Sequence, residues 1–517
     1  MGQQIGISSS VSKSSAYLFQ LVVAFALGSS AVLALAPFSF SLVLPVSFGG
    51  LYYLTTAAGR VKSFLTGWVF GFGYFLFGLS WIAESFFVEP ERFGWLAVPA
   101  VIGLAGGLAL FPAVAMVIFA ATKTKAVSGA LVFAACWSGL EWLRGTIFTG
   151  FPWNLIAYAW AEYDVPRQVA AFFGSYGLSH VTVLLAVLPI AAFRSDRRQR
   201  KFATTLFVFI AAAIWVNGEI SLRVEEQQTT FKIRIVQGNI PQRQKWDPAY
   251  RERNIARYLD LSSQPGEFDI LLWPESTFPG YLEEDFWMLE EIARLLPSNA
   301  LLFTGAKTRN ITADKIQYQN VILAINSKAK ILGRYAKHHL VPFGEYIPLK
   351  GLVPLGRFAE GQGDFTPGSG PQTFGNLQLP KVGLSICYEA IFPGNIIDAK
   401  DRPEWIFNAT NDGWFGATIG PKQHLASSRM RAVEEGLPFI RAAGTGISAI
   451  IDGKGRLISS LSLGETNILD GTLPAALSPT PFSRYGQIMF WLVFASSLAL
   501  AVALNSKKNR VSGQTFR

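Results

Sequence analysis

Charged residues, cysteine and histidine are all scarce in this sequence of 517 residues. Asp, Glu, Lys and Arg make up 15% of it, against about 25% in soluble globular proteins. With a hydrophobic share of 50%, this shortage excludes an ordinary soluble protein and indicates a large lipid-facing portion. Two cysteines, Cys136 and Cys387, exclude a disulfide framework. The four histidines are too scattered for a zinc signature, and we expect neither a metal nor a cofactor.

Apolar runs that could cross a membrane are frequent. A spanning helix needs about 20 mostly apolar residues. Seven such runs precede residue 220 and an eighth lies near the C-terminus, with bounds of roughly 15–35, 39–57, 64–82, 95–121, 127–143, 168–193, 203–217 and 487–504. The sequence therefore predicts a seven-span transmembrane domain over 1–219. It also predicts a last transmembrane helix with a basic cytoplasmic tail over 486–517.

Basic residues cluster in the loops that follow the even-numbered runs, for example Arg60 and Lys62 after the second run and Lys123 and Lys125 after the fourth. Positive residues mark the cytoplasmic side of a membrane protein. An eight-span topology with both ends in the cytoplasm fits this pattern and places residues 220–485 outside, which is the periplasm in a bacterium. The net charge of +10 is thereby accounted for by membrane orientation, and we expect no nucleic-acid binding.

Residues 220–485 have an ordinary globular composition. Short apolar runs that are typical of strands recur at Lys232–Gln237, Asp269–Trp273, Ala300–Thr304, Gln319–Ile325, Val382–Cys387, Trp405–Asn408 and Ile447–Asp452. Residues 250–262 and 283–296 have the pattern of amphipathic helices, and 357–372 that of a surface loop. Strands that alternate with helices predict an α/β or α-β-β-α domain beside the multi-pass α-helical membrane domain.

Cys387 and Glu275 both come directly after predicted strands. A thiol at the end of a buried strand can act as a nucleophile if a base and a cation are near, although an inert core thiol is the alternative. Glu275 follows Trp273 and Pro274 and could take the thiol proton. The alternative for Glu275 is a solvated loop carboxylate.

Lys337 and Glu345 lie in the densest polar motif of the chain, Tyr335–Pro348. Lys337 could stabilise an oxyanion as a fixed positive charge, or it could be an ordinary surface lysine. Glu345 follows Gly344 and could equally be a turn carboxylate. In the membrane half, Glu141 and Arg144 could form a mutual pair or contact a lipid headgroup.

Taken together, these motifs resemble a known superfamily. The order Trp-Pro-Glu (273–275), Lys-x-x-Leu-Val-Pro-Phe-Gly-Glu (337–345) and Cys-Tyr-Glu (387–389) resembles the nitrilase, or carbon–nitrogen hydrolase, superfamily. Within it, the surrounding membrane spans make the chain similar to the family of bacterial apolipoprotein N-acyltransferases. Further matching segments are 141–145, 149–153, 236–241, 245–246, 408–416 and 429–434. The resemblance implies an α-β-β-α nitrilase-like sandwich as a periplasmic catalytic domain over 220–485.

For the site, the resemblance implies a catalytic triad. Glu275 would be the general base, Lys337 the cation that stabilises the intermediate, and Cys387 the nucleophile. It implies supporting roles for Glu345, Tyr388 and Glu389. It implies substrate contacts for Trp246, Trp414 and Glu434.

The implied reaction moves an acyl chain from a membrane phospholipid, through a Cys387 thioester, to the α-amino group of the N-terminal diacylglyceryl-cysteine of a lipoprotein. Ping-pong kinetics and a monomer in the bacterial inner membrane are the corresponding expectations. Two alternatives remain open at this point. One is a membrane-tethered amidase that acts on soluble amides, and the other is a transporter or scaffold whose outer domain is inactive.

Overall fold

The computed structural model describes residues 4–225, 227–311, 316–348, 364–375 and 377–514. The part of the predicted loop that covers 357–363 therefore lies outside the described residues. The first half is helical, with α1 Gln4–Ala31, α2 Leu44–Thr56, α3 Arg60–Gly78, α4 Pro90–Phe93, α5 Ala97–Leu108, α6 Leu110–Thr122, α7 Ala126–Thr146, α8 Asp164–Arg167, α9 Ala170–Phe193 and α10 Arg197–Arg223.

The second half mixes strands and helices. In chain order these are β1 Gln228–Gln237, α11 Gln242–Lys245, α12 Arg251–Ser262, β2 Ile270–Trp273, α13 Phe286–Leu295, β3 Leu301–Ile311, β4 Ile316–Asn326, β5 Ile331–Ala336, β6 Thr373–Phe374, β7 Val382–Ile386, β8 Trp405–Thr410, α14 Gly420–Glu435, β9 Phe439–Ala443, β10 Ser448–Ile451, β11 Leu457–Leu461, β12 Asn467–Pro474, α15 Pro481–Tyr485 and α16 Ile488–Gln514.

Six helical stretches of the described chain are long and apolar enough to cross a membrane: Ser15–Ala34, Pro90–Thr122, Ala126–Arg144, Ala170–Phe193, Arg197–Arg223 and Ile488–Ser506. A seventh results if Arg60–Gly78 and Ser80–Phe87, which are bent by 46° against each other, form one span. The predicted second run differs. It contains α2, whose 13 residues measure about 20 Å at 1.5 Å per residue, short of a hydrocarbon core of about 30 Å.

The eight-span count is therefore not reproduced by helix length. Because the loop-charge argument depends on that count, the cytoplasmic ends and the outer position of residues 220–485 stay predictions. The same holds for the predicted domain bounds of 1–219, 220–485 and 486–517.

Two six-stranded sheets form the core of the second half. Their orders are β12-β1-β2-β3-β4-β5 and β11-β10-β9-β8-β7-β6. Each sheet has three adjacent parallel strands, β1-β2-β3 in the first and β7-β8-β9 in the second, with antiparallel strands at the flanks. Since the carboxyl ends of parallel strands meet at one edge of a sheet, residues that follow these strands are brought together.

The sheets pack face to face and are covered by helices on their outer faces. Alternate residues of β2 show why its sequence is apolar throughout: Ile270 and Leu272 face the second sheet, whereas Leu271 and Trp273 face α12 and α13. On the other side, α14 packs on the second sheet through Leu425. The arrangement confirms the predicted α-β-β-α sandwich beside a region of apolar helices.

Candidate active site

Three strand ends deliver the three residues of the predicted triad. Glu275 comes two residues after β2, Lys337 directly after β5, and Cys387 directly after β7. Strands β2 and β5 run in the same direction, because β3 is parallel to β2 while β4 is antiparallel to both β3 and β5. Their two polar residues therefore emerge at the same edge of the first sheet, and β7 of the facing sheet supplies the thiol.

One ammonium and one amide hold two carboxylates together at this edge. Lys337 Nζ lies 2.8 Å from Glu345 Oε2 and 3.7 Å from Glu275 Oε1. Asn320 Nδ2 donates hydrogen bonds to the same two carboxylates, at 2.8 Å to Glu275 Oε1 and 3.0 Å to Glu345 Oε1. Asn320 was not predicted from the sequence, where it is a polar residue inside a strand.

The Lys337 side chain is 1% exposed, so its charge depends on its partners. Burial alone would lower the pKa of Lys337, but the Glu345 and Glu275 carboxylates outweigh burial and raise it above the ordinary lysine value. Lys337 is therefore a permanent cation at neutral pH. A buried, fixed positive charge of this kind can stabilise a developing oxyanion.

The Cys387 thiol is buried and protonated at rest. Burial raises its pKa to about 12, and the Glu275 charge adds to the rise, whereas Lys337 opposes it. The Cys387 backbone has a φ of +47°, where β7 turns into the 3-10 turn Cys387–Ile391. A thiol in this state needs a base that removes its proton as it reacts, and Glu275 is the carboxylate that acts on it most strongly.

Gly305 of β3 allows the Glu275 segment to lie this close to the sheet. A Cβ atom at position 305 would be 2.5 Å from Glu275 Cα. The Gly305 N–H donates to Pro274 O at 3.0 Å, and its carbonyl accepts from Thr277 N at 3.0 Å. Position 305 therefore requires glycine because of the close approach of the two backbones.

Glu389 ties the segment after Lys337 to the turn that holds the thiol. Its buried carboxylate accepts four hydrogen bonds, from the backbone N–H groups of Ile386 (2.6 Å), His338 (2.8 Å) and His339 (3.1 Å) and from the Tyr335 hydroxyl (2.8 Å). Burial raises the pKa of Glu389, but the contact with the His338 side chain, the Ile386 N–H and the charge of Lys337 together outweigh burial and lower it overall. Glu389 thus acts on the geometry of the site through the backbone.

A second buried network holds the Cys387 carbonyl. His424 Nε2 lies 3.1 Å from Cys387 O, and His424 Nδ1 lies 2.8 Å from Asp412 Oδ1. Asp412 in turn pairs with Arg441 at 2.6 Å. His424 therefore contacts the backbone of the nucleophile and not its thiol. This contact was not predictable from sequence pattern, because His424 is 37 residues from Cys387.

Trp246 and Trp414, the two aromatic residues predicted to contact substrate, interact with residues outside the triad. The Trp246 ring is contacted by Lys307 Nζ, 3.3 Å from the ring centroid. Trp414 accepts a hydrogen bond from the Ser85 hydroxyl through its backbone oxygen, at 3.0 Å. Neither contact involves the triad, and a role of Trp246 and Trp414 in substrate binding stays a prediction.

Glu434 is an anchor between the two halves of the molecule. Its Oε1 accepts from the backbone N–H and the hydroxyl of Ser175 in α9, both at 2.7 Å, and its Oε2 lies 3.0 Å from Arg431 Nε. The Glu434 side chain is 0% exposed. Burial among these partners gives Glu434 a structural role in the described chain, and its predicted substrate contact stays a prediction.

The loop after α7 connects the helical half of the molecule to the segment that holds the nucleophile. Arg144 donates to the backbone oxygens of Phe151 (2.5 Å) and Trp153 (2.8 Å), and Glu141 accepts from Ile156 N at 3.1 Å. The Tyr388 hydroxyl donates to Gly150 O of this loop at 3.3 Å. Glu141 and Arg144 therefore hold a loop in place, which neither the mutual pair nor the headgroup contact had anticipated.

Comparison with known proteins agrees with this fold. Residues 232–481 match the carbon–nitrogen hydrolase family, and residues 27–188 match the apolipoprotein N-acyltransferase N-terminal domain. The fold and the site thus define an enzyme of the carbon–nitrogen hydrolase class that is joined to a membrane-associated helical domain.

Full-length relatives give the family. The apolipoprotein N-acyltransferase of Bradyrhizobium diazoefficiens is 38% identical over 93% of this chain and 94% of its own length. Those of Rhodopseudomonas palustris and Caulobacter vibrioides are 37% and 36% identical, and each alignment covers 90% of this chain. The chain belongs to the apolipoprotein N-acyltransferase family. It is accordingly an acyltransferase and a multi-pass membrane protein.

Proposed function

We propose that this protein transfers an acyl chain from a membrane phospholipid to the α-amino group of the diacylglyceryl-cysteine at the N-terminus of a lipoprotein. Family membership supports the overall reaction. The site supports the route through a Cys387 thioester. The observation that carries the route is that one buried ammonium, Lys337, pairs with Glu275 and also opposes the rise in the pKa of the buried thiol.

In the first half-reaction, Glu275 takes the proton of Cys387 as the sulfur attacks an ester carbonyl of the phospholipid. The carbonyl oxygen becomes an oxyanion, and Lys337 stabilises its charge. The C–O bond of the ester then breaks, and Glu275 returns the proton to the leaving glycerol oxygen. A lysophospholipid leaves and an acyl thioester remains on Cys387.

In the second half-reaction, the neutral α-amine of the lipoprotein attacks the thioester carbonyl. Glu275 accepts one proton from the attacking nitrogen and passes it to the departing Cys387 sulfur. An N-acyl amide leaves and the free thiol is restored. Because one product leaves before the second substrate reacts, ping-pong kinetics is expected.

Both substrates carry long acyl chains, whose burial is worth about 0.8 kcal/mol per CH₂. Such lipids remain in the bilayer, so the thiol has to be reached from the membrane surface. The contact between Tyr388 and the Gly150 loop supports this arrangement, since it joins the nucleophile turn to the helical half. We place the protein in a bacterial inner membrane with this site on the periplasmic face, acting as a monomer.

Acyl-enzyme trapping tests the proposal. Purified protein is incubated with a phospholipid that carries a labelled acyl chain, and the label on the protein is located by peptide mass spectrometry. We expect a hydroxylamine-sensitive label on Cys387, and its loss in Cys387→Ser. Cys136→Ala is the matched control and should keep the label, because Cys136 lies in α7, away from the triad segments.

Transfer of the label to a diacylglyceryl lipopeptide should follow in the wild type and in Cys136→Ala, and be absent in Cys387→Ser. N-acylation that persists in Cys387→Ser would refute the thioester route. Hydrolysis of soluble amides that needs no phospholipid would favour the membrane-tethered amidase instead.

A further inference from the structure

A second buried lysine, Lys245, adjoins the candidate active site. It ends the short helix α11, and its Nζ donates a hydrogen bond to the backbone oxygen of Glu275 at 2.9 Å. Lys245 is 8% exposed. Unlike Lys337, it has no carboxylate within ion-pair distance in the described part of the chain.

Helix α11 also reaches the thiol side of the site. Gln242 Oε1, one turn before Lys245, accepts a hydrogen bond from Asn411 Nδ2 at 2.8 Å. The backbone oxygen of Asn411 is 4.0 Å from Cys387 Sγ. The helix therefore lies between the segment of the predicted base and the segment beside the nucleophile, and Lys245 is its only cation that is buried.

The electrostatic surroundings leave this cation underpaired. Burial lowers the pKa of Lys245 to about 8, and Glu275 and Cys387 offset only part of that decrease. Neighbouring elements bring further positive charge: Arg253 of α12 and Lys307 of β3 contact the residues on either side of Lys245. Because an unpaired buried charge is unfavourable, an anion that enters the site next to Lys245 would be bound.

The two proposed substrates carry charges of opposite sign, and Lys245 would interact differently with each. Both are glycerol lipids with ester-linked acyl chains. The donor carries an anionic phosphodiester, whereas the acceptor carries a cationic α-ammonium and no phosphate. A positive charge beside the thiol attracts the first and repels the second, which is how a site selects between two similar ligands.

We propose that Lys245 binds the phosphodiester of the acyl donor and thereby selects phospholipid over the diacylglyceryl lipoprotein in the first half-reaction. This inference rests on the proposed function and adds a subsite to it. Lys245 forms no covalent bond and takes no part in proton transfer. Its role is to make the lipid that acylates Cys387 the one that carries a phosphate.

The test compares two acyl donors with the same palmitoyl chain in detergent micelles, dipalmitoyl phosphatidylethanolamine and p-nitrophenyl palmitate. The second donor has no phosphate and acylates thiols readily. Thioester formation on Cys387 is followed by mass spectrometry for wild type, Lys245→Met and Lys245→Arg. The measured quantity is the ratio of the rates from the two donors at subsaturating concentration.

We expect Lys245→Met to slow acylation from the phospholipid by about 10- to 100-fold, the effect of losing a hydrogen bond between charged groups. A loss of donor binding appears in these subsaturating rates, which report kcat/KM. Acylation from p-nitrophenyl palmitate should fall far less, by about threefold or less. Lys245→Arg should retain the wild-type ratio even if both rates decrease, because it keeps the charge.

Equal losses for the two donors in Lys245→Met would overturn the inference, since they would show that Lys245 only supports the Glu275 backbone. A ratio of the two donor rates in Lys245→Arg that fell as it does in Lys245→Met would also overturn the inference. If wild type formed no Cys387 thioester from either donor, the proposed function itself would fail, and the two failures are thereby distinguishable.

Discussion

Buried charges occur in two regions of this molecule, the candidate active site and the contact between α9 and α14, and they are balanced differently. At the contact, Glu434 has a guanidinium and a backbone N–H as partners. At the candidate active site, Glu275 and Glu345 share the single ammonium of Lys337, while Lys245 has only a carbonyl oxygen. A matched buried pair stabilises a contact, whereas an unequal set remains able to respond to a substrate.

Removing the shared cation should have the largest effect. In Lys337→Met we expect thioester formation to fall by about 10³-fold, because the oxyanion loses its positive charge and Glu275 loses its partner. Single-turnover acylation from labelled phospholipid measures this. Lys381→Met is the matched control and should change little, since Lys381 pairs with Asp401 at an exposed position. Acylation at the wild-type rate in Lys337→Met would contradict a role of Lys337 in thioester formation.

Removing a charge from the contact should lower stability and not rate. Glu434→Ala leaves Arg431 buried without its carboxylate, which costs about 3–5 kcal/mol of folding free energy. We expect a clearly lower Tm in detergent, with KM unchanged in the protein that remains folded. Glu267→Ala, at an exposed ion pair with Lys232, is the control. A raised KM at an unchanged Tm would instead support the predicted substrate contact of Glu434.

Glu389 lies between these two cases, because it is charged but acts on backbone groups. Its pKa is lowered in the folded protein, so its contribution to stability is full above the ordinary glutamate pKa of about 4.3 and is lost as pH falls through the lower folded value. Glu389→Gln should therefore lower the Tm at pH 7 by an amount that corresponds to about 1–3 kcal/mol.

The difference between the two melting temperatures should shrink as the pH falls below about 4. Melting curves of wild type and Glu389→Gln between pH 3 and pH 7 measure this. A difference that stayed constant over the whole range would show that the glutamine change acts through packing and not through charge.

The ends of the buried strands were the most predictable part of the site. The apolar runs before Glu275 and Cys387 are short and bounded by polar residues, and the structure has β2 and β7 there. Their position in the sandwich follows from local pattern, because a strand that is buried on both faces has to be apolar throughout. The partners across the site, Asn320 and Lys245, were not predicted, because only long-range packing brings them near Glu275.

Helix α14 was missed for the opposite reason. Its sequence contains Arg429, Arg431, Glu434 and Glu435, a composition typical of a solvated surface, yet all four side chains are buried. Their partners include Ser175 in α9 and Glu162 in the preceding loop, more than 250 residues away. Sequence patterns report local preference and cannot show that a second domain covers a charged helix face.

The backbone of Cys387 has a consequence for how the chain balances folding against chemistry. A residue with a side chain is disfavoured at a φ of +47°, by about 1–2 kcal/mol, whereas glycine adopts this conformation freely. A change to glycine at position 387 would thus relieve the backbone strain but would remove the thiol. The strained backbone at Cys387 is therefore the cost of presenting a sulfur atom at this bend of the chain.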